Sequence, residues 1–417
     1  MEGMDQPTPA EGPGPSSREG WRTRASLGIG FASFLADAGH EVPTSLLPGF
    51  LTSTLGAPAA ALGLIEGISD ALAGAARLAG GALADNPRVR RRTAAGGYTA
   101  TAILSAAIGA ATNVVQVGLL RAGAWTARGL RVPSRNALLA DAVSPQYYGR
   151  AFGVERAMDN LGAIVGPLLA LGLVSLVGVR TAILLSVLPG LLSAAAILYV
   201  VRNLPRVQAR RRDSIRLRVG PVLDSPVRQL LPGLALFELG NLATPLLILR
   251  ATEVLAPERG VEAATTAAIV LYALHNLAAT LASFPAGRAT DRHGSVVVLS
   301  GGVALFGLSY AGFAFTGPSL LLLACAFVGA GAAIGCVETA EHTAVATHAP
   351  EAVRGSAFGL LAAVQSFGNL VASGVAGLLW TFISPSAAFS FATLLMLLSG
   401  LGLARAWRTP TQAGRGR

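Results

Sequence analysis

Long apolar stretches separated by short polar breaks dominate this chain between residues 25 and 406. A helix needs about 20 apolar residues to cross the hydrocarbon core of a bilayer. The pattern therefore predicts twelve membrane-spanning helices, at residues 25–53, 57–83, 93–112, 115–139, 148–176, 180–201, 229–251, 262–286, 295–315, 318–346, 356–380 and 386–406. Because the apolar runs are long and do not alternate, they exclude a β-barrel. The predicted fold class is an all-α polytopic membrane protein.

The composition agrees with a membrane protein and excludes several other classes. Hydrophobic residues make up 52% of the 417 residues and charged residues only 13%, which is about half the charged fraction of an ordinary soluble domain. Cys325 and Cys336 lie in the tenth predicted span, and their spacing of eleven positions fits neither a disulfide scaffold nor a metal-binding motif. We therefore expect an integral membrane protein without a cofactor or a resident metal.

The placement of the arginines predicts the orientation in the membrane. All 32 basic residues are arginines, and the net charge is +10. With the N-terminus inside, 23 arginines fall in the inside loops and tails and three fall outside. Because basic residues are retained on the cytoplasmic side, we predict a multi-pass protein of the plasma or inner membrane with both termini cytoplasmic. Residues 1–24 and 407–417 would be cytoplasmic tails, the first of them disordered.

The longest predicted loop, residues 202–228, holds a run of arginines. In a soluble protein such a run would point to nucleic acid, but here it lies beside the membrane. We expect it to contact anionic lipid headgroups and to have no nucleic-acid partner. The loop divides the membrane region into two parts of six spans each, residues 25–201 and 229–406.

The two parts repeat each other at an offset of 206 residues. A glycine, with an aspartate four positions later, follows both the second and the eighth span. These residues are Gly81 and Asp85 in the first copy and Gly287 and Asp291 in the second. Residues 145–153 and 350–359 match at nearly the same offset. Two independent landmarks at one period predict two pseudo-symmetric six-helix halves.

The chain resembles the major facilitator superfamily in two motifs. The family's Gly-x-x-x-Asp-Arg-x-Gly motif is carried here, over its two copies, by Gly81, Asp85, Gly287, Asp291, Arg292 and Gly294. The first copy departs from the family, with Asn86 and Arg88 in place of the arginine and the glycine. The family's Gly-x-x-x-Gly-Pro motif in the fifth helix, which is characteristic of its antiporters, is met by Gly162, Gly166 and Pro167.

The resemblance implies a monomeric transporter whose halves rock about a central cavity lined by helices 1, 4, 7 and 10. It also implies that Asp85 and Asp291 act in gating loops. A carboxylate at a helix end can accept hydrogen bonds from the N-terminus of a neighbouring helix, which would hold one face of the bundle closed. The glycines of the fifth helix would permit a close approach of a second helix.

Charged side chains inside the spans mark the predicted pathway, because they are costly in a bilayer. The first span carries Asp37, His40 and Glu41 on one helical face. The fourth carries Arg121 and Arg128, seven positions apart. By the resemblance, acids of helices 1 and 10 would face arginines of helix 4. A carboxylate that loses such a partner would take up a proton.

The predicted proton-coupling acids are Asp37, Glu41 and Asp159, with Arg121 and Arg128 as switchable partners of the first two. The predicted residues of the substrate cavity are His40, Arg121, Arg128, Glu238, Glu338, Glu341 and His342. Arg156 and Asp159 are three positions apart in the fifth span, and we expect their pair to stabilise that helix.

The leading hypothesis for function is a transporter that exports a small molecule in exchange for protons. The alternative is transport of an organic anion or a metal complex, because the four arginines of the fourth span could bind carboxylate or phosphate. Histidines next to acids are also suitable metal ligands, but the opposing arginines argue against a cation site. The sequence has no P-loop, HExxH or Gly-x-Ser-x-Gly motif. No catalytic residues are therefore predicted, and an enzyme or a non-transporting receptor is less favoured.

Overall fold

The computed structural model describes residues 20–204 and 215–408 of the chain. These residues fold into fourteen α-helices joined by short turns, and they contain no strand. Parts of the predicted tails and of the predicted basic loop lie outside the described residues, namely 1–19, 205–214 and 409–417.

The first half of the bundle consists of helices α1 to α6. Their bounds are α1 (Arg24–Gly49), α2 (Ala59–Ala84), α3 (Pro87–Ala107), α4 (Val114–Ala142), α5 (Tyr148–Leu185) and α6 (Val187–Asn203). A π-helical turn at Phe50–Thr54 extends α1. Within α5, Gly178 has a φ of 78°, a conformation that favours glycine. The bend at Gly178 separates the fifth predicted span from the sixth.

The second half of the bundle consists of a short helix followed by seven longer ones. Their bounds are α7 (Val219–Leu223), α8 (Val227–Gly240), α9 (Thr244–Arg259), α10 (Val261–His293), α11 (Ser295–Phe315), α12 (Leu320–His348), α13 (Arg354–Phe382) and α14 (Pro385–Arg408). The seventh predicted span, residues 229–251, is formed by two helices, because α8 and α9 meet at a bend of 41°. Pro245, in the first turn of α9, lacks the N–H that would continue the helix.

Two helix ends differ from the prediction near the gating motif. α3 begins at Pro87 rather than at residue 93, because Asn86 caps its first turn by accepting hydrogen bonds from two backbone N–H groups. Three residues predicted in a gating loop lie instead in the last turns of α10: Gly287, Asp291 and Arg292. The helix ends at Gly294, whose φ is 87°.

The charged residues of the first four helices lower their hydropathy. Six segments of the described chain are long and apolar enough to cross a membrane, and the bent pair of α8 and α9 makes a seventh. One of the six, Pro145–Asn203, contains two predicted spans. The long helices that fall short are α1 to α4, which carry most of the ionisable side chains predicted inside the spans.

The two halves use the same helix packing. In the first half, α1 contacts α5 and α6, while α4 contacts α2 and α3; in the second half, α8 contacts α13 and α14, while α12 contacts α10 and α11. The halves meet through α2 against α13 and through α5 against α10, two contacts that the same symmetry relates. The predicted arrangement of two pseudo-symmetric halves is therefore confirmed.

The outer faces of the long helices are apolar, whereas several charged side chains are buried inside the bundle. Large hydrophobic residues on the outer faces are more than half exposed, among them Leu168, Leu176, Leu308 and Phe382. Glu155 and Arg121, by contrast, are each 1% exposed. A hydrocarbon solvent requires apolar side chains on the outside and charged side chains inside. The pattern therefore identifies the chain as an integral membrane protein.

Candidate functional site

A cavity of about 230 Å³ lies between the two halves. Its polar lining residues are Asp37, Arg77, Arg128, Arg131, Arg135, Arg156, Asp159, Glu238, Asn241, Glu338, His342, Gln365 and Asn369. All five arginines belong to the first half, on α2, α4 and α5. The wall from the second half holds the glutamates, the histidine and the three side-chain amides. The cavity is therefore polarised between its two walls.

A network of two arginines and two acids forms the centre of the first wall. Glu155 is the hub: its Oε1 lies 2.7 Å from Nη1 of Arg135, and its Oε2 lies 2.7 Å from Nε of Arg156. Asp159 lies 3.2 Å from each of the same two guanidinium groups. The Ser33 hydroxyl donates a further hydrogen bond to Glu155 at 2.8 Å. Two positive and two negative groups thus neutralise one another locally.

Asp37 lies at the edge of this network with a looser partner. Its Oδ1 is 3.5 Å from Nη2 of Arg128 and 3.2 Å from Nδ1 of His40. Asp159 is close enough to Asp37 for the two carboxylates to interact, and like charges repel each other. The predicted meeting of Asp37 with an arginine of the fourth span is therefore present for Arg128.

Two further arginines of the cavity have no carboxylate within ion-pair distance among the described residues. Arg77 donates to the hydroxyl of Ser366 at 2.5 Å and to the carbonyl of Ala362 at 3.4 Å, both on α13. Arg131 places its guanidinium 3.9 Å from the centre of the Tyr98 ring, a cation–π contact. Positive charge in this wall therefore exceeds what its nearest acids balance.

The second wall holds acids whose partners are mostly neutral. Glu238 accepts a hydrogen bond from the side-chain amide of Asn241 at 3.3 Å. Glu338 lies 3.9 Å from Nη1 of Arg156, at the limit of an ion pair. His342 lines the cavity beside it and donates from Nδ1 to the backbone carbonyl of Glu338 at 2.7 Å.

Three predicted cavity residues and one predicted coupling acid do not line the cavity: His40, Arg121 and Glu341, and Glu41. Arg121 does not meet Asp37 or Glu41; its guanidinium binds both carboxylate oxygens of Glu66, at 3.0 and 3.1 Å. Helix α4 packs on α2, so a carboxylate of α2 reaches this arginine first. Glu41 instead contacts Nε2 of His40 at 3.3 Å, and neither of the two lines the large cavity.

The tenth span also departs from the prediction. Glu338 lines the cavity wall opposite the arginines of the fourth span, but its ion-pair partner is Arg156 of α5. Glu341 is fully buried behind the cavity wall and accepts a hydrogen bond from the Gln365 amide at 2.5 Å. Among the described residues, no group of three or more histidine, cysteine or acidic side chains is placed to hold a metal ion.

Several cavity residues are absent from the sequence-based set. Arg77, Gln365 and Asn369 were not assigned to the site, and Arg135 and Arg156 were not assigned to its cavity. The amides carry a signal in the sequence, because Gln365 and Asn369 are four positions apart in an apolar span and so share one helical face. A lone arginine such as Arg77 gives no such signal.

The carboxylate of Asp85 makes one contact between the halves. It follows the end of α2, and it accepts hydrogen bonds from the backbone N–H of Ser356 at 2.9 Å and from the Ser356 hydroxyl at 2.5 Å. Ser356 lies in the first turn of α13, so Asp85 caps a helix of the other half. Burial raises the pKa of the Asp85 carboxyl, an effect that the bonds from Ser356 oppose.

The symmetry-related Asp291 makes the equivalent contact. It accepts a hydrogen bond from the backbone N–H of Gly149 at 2.7 Å, and it lies 3.0 Å from Nε of Arg150, both in the first turn of α5. The two predicted gating aspartates thus join the halves at one end of the bundle, which we call the latch end. Of the other motif residues, Arg292 and Gly294 are exposed, whereas Gly81 and Gly287 are buried.

A third acid strengthens the latch end. Asp141, near the end of α4, forms an ion pair with Arg90 of α3 and lies 3.6 Å from Nη1 of Arg354. Arg354 begins α13, so this acid also links the two halves. The described polar contacts between the halves therefore lie at the latch end or around the cavity.

The glycines of the fifth span seat α5 against α1. A Cβ placed on Gly162 would lie 2.5 Å from the carbonyl oxygen of Phe34 and 2.9 Å from the Cβ of Asp37. A Cβ on Gly166 would collide with the Cβ of Glu41. With Pro167 following in the same helix, the motif packs against the face of α1 that carries the predicted coupling acids.

Replacing Gly166 with alanine should therefore destabilise the protein by about 1–3 kcal/mol, the usual effect of overpacking a tight contact. Gly172→Ala is the matched control, since that glycine lies in the same helix and has nothing within 4 Å of its Cβ position. Thermal unfolding of both variants in detergent measures the difference. Equal midpoints for the two would contradict the packing role of the motif.

A bundle of two symmetry-related halves around a charged central cavity is typical of polytopic membrane transporters. The sequence model of the Major Facilitator Superfamily matches residues 29–256 and 242–417. The chain belongs to this superfamily, as its two motifs predict.

Relatives and solved structures agree with this assignment. An uncharacterised MFS-type transporter of Methanocaldococcus jannaschii is 29% identical over 380 residues, which cover 89% of this chain and 92% of the relative. A bacterial homologue of the iron transporter ferroportin, solved in an outward-facing state, has a TM-score of 0.75 at 14% identity and covers 92% of this chain and 100% of its own. The human organic anion transporter MFSD10 has a TM-score of 0.70 at 17% identity, with coverages of 91% and 99%. At these identities the two solved structures establish the fold alone.

Proposed function

We propose that the protein is a proton-coupled secondary transporter of a small molecule, which works by alternating access to the cavity between its halves. The observation that carries the proposal is the pair of Asp37 and Arg128 in the cavity wall. A buried carboxylate is stable in its charged form only while a counter-charge is close. The 3.5 Å separation of this pair is long enough for substrate or helix movement to break it.

Proton coupling then follows from the fate of Asp37. When Arg128 turns to another partner, the Asp37 carboxylate keeps the repulsion of Asp159 and loses its attraction to the guanidinium. Protonation removes the uncompensated charge. Asp159 is a poorer carrier than predicted, since Arg135 and Arg156 both hold it at 3.2 Å. Glu41, outside the cavity, is a second-rank candidate that acts through His40.

The latch end supports an outward-facing state. By the arginine distribution we propose that the latch end is cytoplasmic and that both termini lie on that side of a plasma or inner membrane. The contacts of Asp85, Asp291 and Asp141 then close the cytoplasmic side. Rocking of the halves would break these contacts and open the cavity inward.

The direction of transport is a finer question. The sequence favours exchange of an exported substrate for protons, on the resemblance of Gly162, Gly166 and Pro167 to the antiporter motif. The packing of these residues against α1 accounts for them as structural residues in either direction. The solved relatives move different cargoes by their descriptions, an organic anion in one and iron in the family of another, so the fold does not select the substrate.

The test is flux into liposomes that contain the purified protein and a trapped pH indicator. With a pH gradient imposed in either direction, a screen of organic anions, cations and neutral solutes should reveal substrate-dependent proton movement. The variant Asp37→Asn should retain counterflow of the substrate but lose its dependence on the gradient. Flux that is indifferent to the gradient in the wild type would refute proton coupling, and retained coupling in Asp37→Asn would move the proton site elsewhere.

A further inference from the structure

We propose that the cavity binds a small organic anion, held by the guanidinium groups of Arg77 and Arg128. The inference rests on the proposed function only in taking this cavity as the transport site. It names the chemical class of the substrate, and it follows from where the charges of the cavity lie.

The arginines of the first wall differ in whether nearby acids neutralise them. Arg135 and Arg156 are neutralised within their own wall by Glu155 and Asp159, at distances of 2.7 to 3.2 Å. These two arginines hold the wall together and are not free for a ligand. The remaining arginines of the wall are Arg77, Arg128 and Arg131.

Arg77 carries a buried donor without a partner in the described part of the chain. Among the described residues its hydrogen-bond acceptors are two neutral oxygens, those of Ser366 and Ala362, and its buried Nε has no partner. A guanidinium has five N–H donors arranged to match a carboxylate or phosphate. An unpartnered donor that is removed from solvent costs about 1–3 kcal/mol. An anionic ligand in the cavity would supply the missing acceptor.

Arg128 is partly accessible from the cavity. Its side chain is 28% exposed, and it lies 3.5 Å from Asp37, beyond the 2.7 to 2.9 Å of a direct charge-assisted hydrogen bond. Arg131 lies behind it against Tyr98, close enough to both Arg128 and Asp37 for their charges to interact. Arg128 therefore has a weak hold on its acid, and it lies in the positive field of Arg131.

The rest of the cavity fits the other end of such a ligand. Asn241, Gln365 and Asn369 of the second wall offer neutral hydrogen-bonding groups. The volume of about 230 Å³ is below the range of about 300–1,000 Å³ typical of drug-sized ligands. A short carboxylate suits both features better than a lipid or a large amphipathic molecule. In a dicarboxylate both charged ends would have to lie on the side of the arginines, because Glu238 and Glu338 of the second wall repel a carboxylate.

Anion binding would also change the charge balance around Asp37. The groups that face Asp37 are Arg128 and Arg131 from α4, Asp159 from α5 and His40 from its own helix. An anion that takes Arg128 weakens the attraction that keeps Asp37 ionised and leaves Asp159 close by. Binding of the anion and of a proton then support each other. This coupling favours movement of both in the same direction over the exchange predicted from the sequence.

The test compares ligands that differ in charge but share a carbon skeleton. Glutarate and cadaverine are both five-carbon chains, with two negative and two positive charges, and inorganic phosphate is a third probe. Equilibrium binding and thermal unfolding are measured on the full chain in detergent without a pH gradient. Glutarate or phosphate should bind saturably and raise the unfolding midpoint, more strongly at lower pH, whereas cadaverine should not.

Variants assign the binding to the two arginines. Arg128→Gln and Arg77→Gln should each weaken anion binding by about 10- to 100-fold, the range for a hydrogen bond to a charged group. Arg128→Lys keeps the charge but loses the two-pronged geometry, so it should bind with intermediate affinity. Arg180→Gln is the matched control, because that guanidinium bonds the carbonyls of Gly109 and Ala111, away from the cavity. Asp37→Asn should bind the anion more tightly and without pH dependence.

The inference is overturned if neither anion binds, if cadaverine binds in their place, or if anion binding survives unchanged in both glutamine variants. These outcomes are separate from those of the flux assay. A transporter that binds cadaverine and moves it against protons would keep the proposed function and refute the anion. Saturable glutarate binding without any flux would support the anion site and refute the proposed transport function.

Discussion

Replacing Glu155 with glutamine is expected to destabilise the protein by about 3–5 kcal/mol, the usual effect of breaking a buried ion pair from one side. Glu155 is 1% exposed and contacts both Arg135 and Arg156 at 2.7 Å. Its loss leaves two buried guanidinium groups with Asp159 as their remaining close acid. Equilibrium unfolding in detergent, followed by circular dichroism, measures the change.

A second variant separates the charge effect from the loss of shape. In Glu155→Gln/Arg156→Gln one buried cation is removed together with the acid, which leaves Arg135 paired with Asp159. This double variant should recover more than half of the lost stability. The control Glu258→Gln, at an exposed position, should change it by less than about 0.5 kcal/mol. A Glu155→Gln protein as stable as the wild type would show that the network is not the structural centre of the wall.

The double replacement Asp85→Ala/Asp291→Ala is expected to open the latch end. Each aspartate accepts two hydrogen bonds across the halves, and Asp291 also forms an ion pair with Arg150. Charge-assisted bonds of this kind contribute about 1.5–3 kcal/mol each, so loss of both contacts should shift the conformational equilibrium by roughly 100-fold or more.

Alkylation of a cysteine in the cavity reports this opening. Ala362 lines the cavity, and Ala362→Cys would be placed in a protein with Cys325 and Cys336 changed to alanine. In oriented vesicles, a membrane-impermeant maleimide added from the latch side should react at least about tenfold faster in the double variant. Asp224→Ala, at an exposed position outside the latch, is the control. An unchanged rate would mean that other contacts hold this end closed. Reaction from the cytoplasmic face specifically would support the proposed orientation.

The sequence predicts the architecture well because each span is a local property. An apolar run of sufficient length forms a helix in a bilayer whatever its neighbours are, so the positions of the spans follow from hydropathy. The exceptions have local causes that hydropathy does not register. Asn86 starts α3 early by capping it, and Pro245 breaks the seventh span.

The pairing of the charges could not be predicted in the same way. Arg121, Arg128 and Arg135 share one stripe of α4, yet they meet acids on three different sets of helices: Glu66 on α2, Asp37 on α1, and Glu155 with Asp159 on α5. Which acid each arginine meets depends on how far along the helix its neighbours cross. That information is not contained in the spacing of one helix.

The contacts of Glu155 show most clearly what the spacing of one helix does not predict. The spacing of the fifth span predicts the pair of Arg156 and Asp159, which is present at 3.2 Å. It does not predict a contact between the adjacent residues Glu155 and Arg156, because neighbours along a helix do not normally face each other. Glu155 belongs to the network because it contacts Arg135 of α4. That contact depends on how the two helices pack in the tertiary structure.

We propose that Asp37 exchanges a proton when the cavity binds its substrate. Proton uptake on ligand binding tests it most directly. The purified protein in weakly buffered detergent solution is titrated with glutarate, or with the compound that the flux screen identifies, and a dissolved indicator records the pH. We predict uptake of up to about one proton per bound anion in the wild type and none in Asp37→Asn. Ligand binding that leaves the pH unchanged in the wild type, or the same proton exchange in Asp37→Asn, would contradict it.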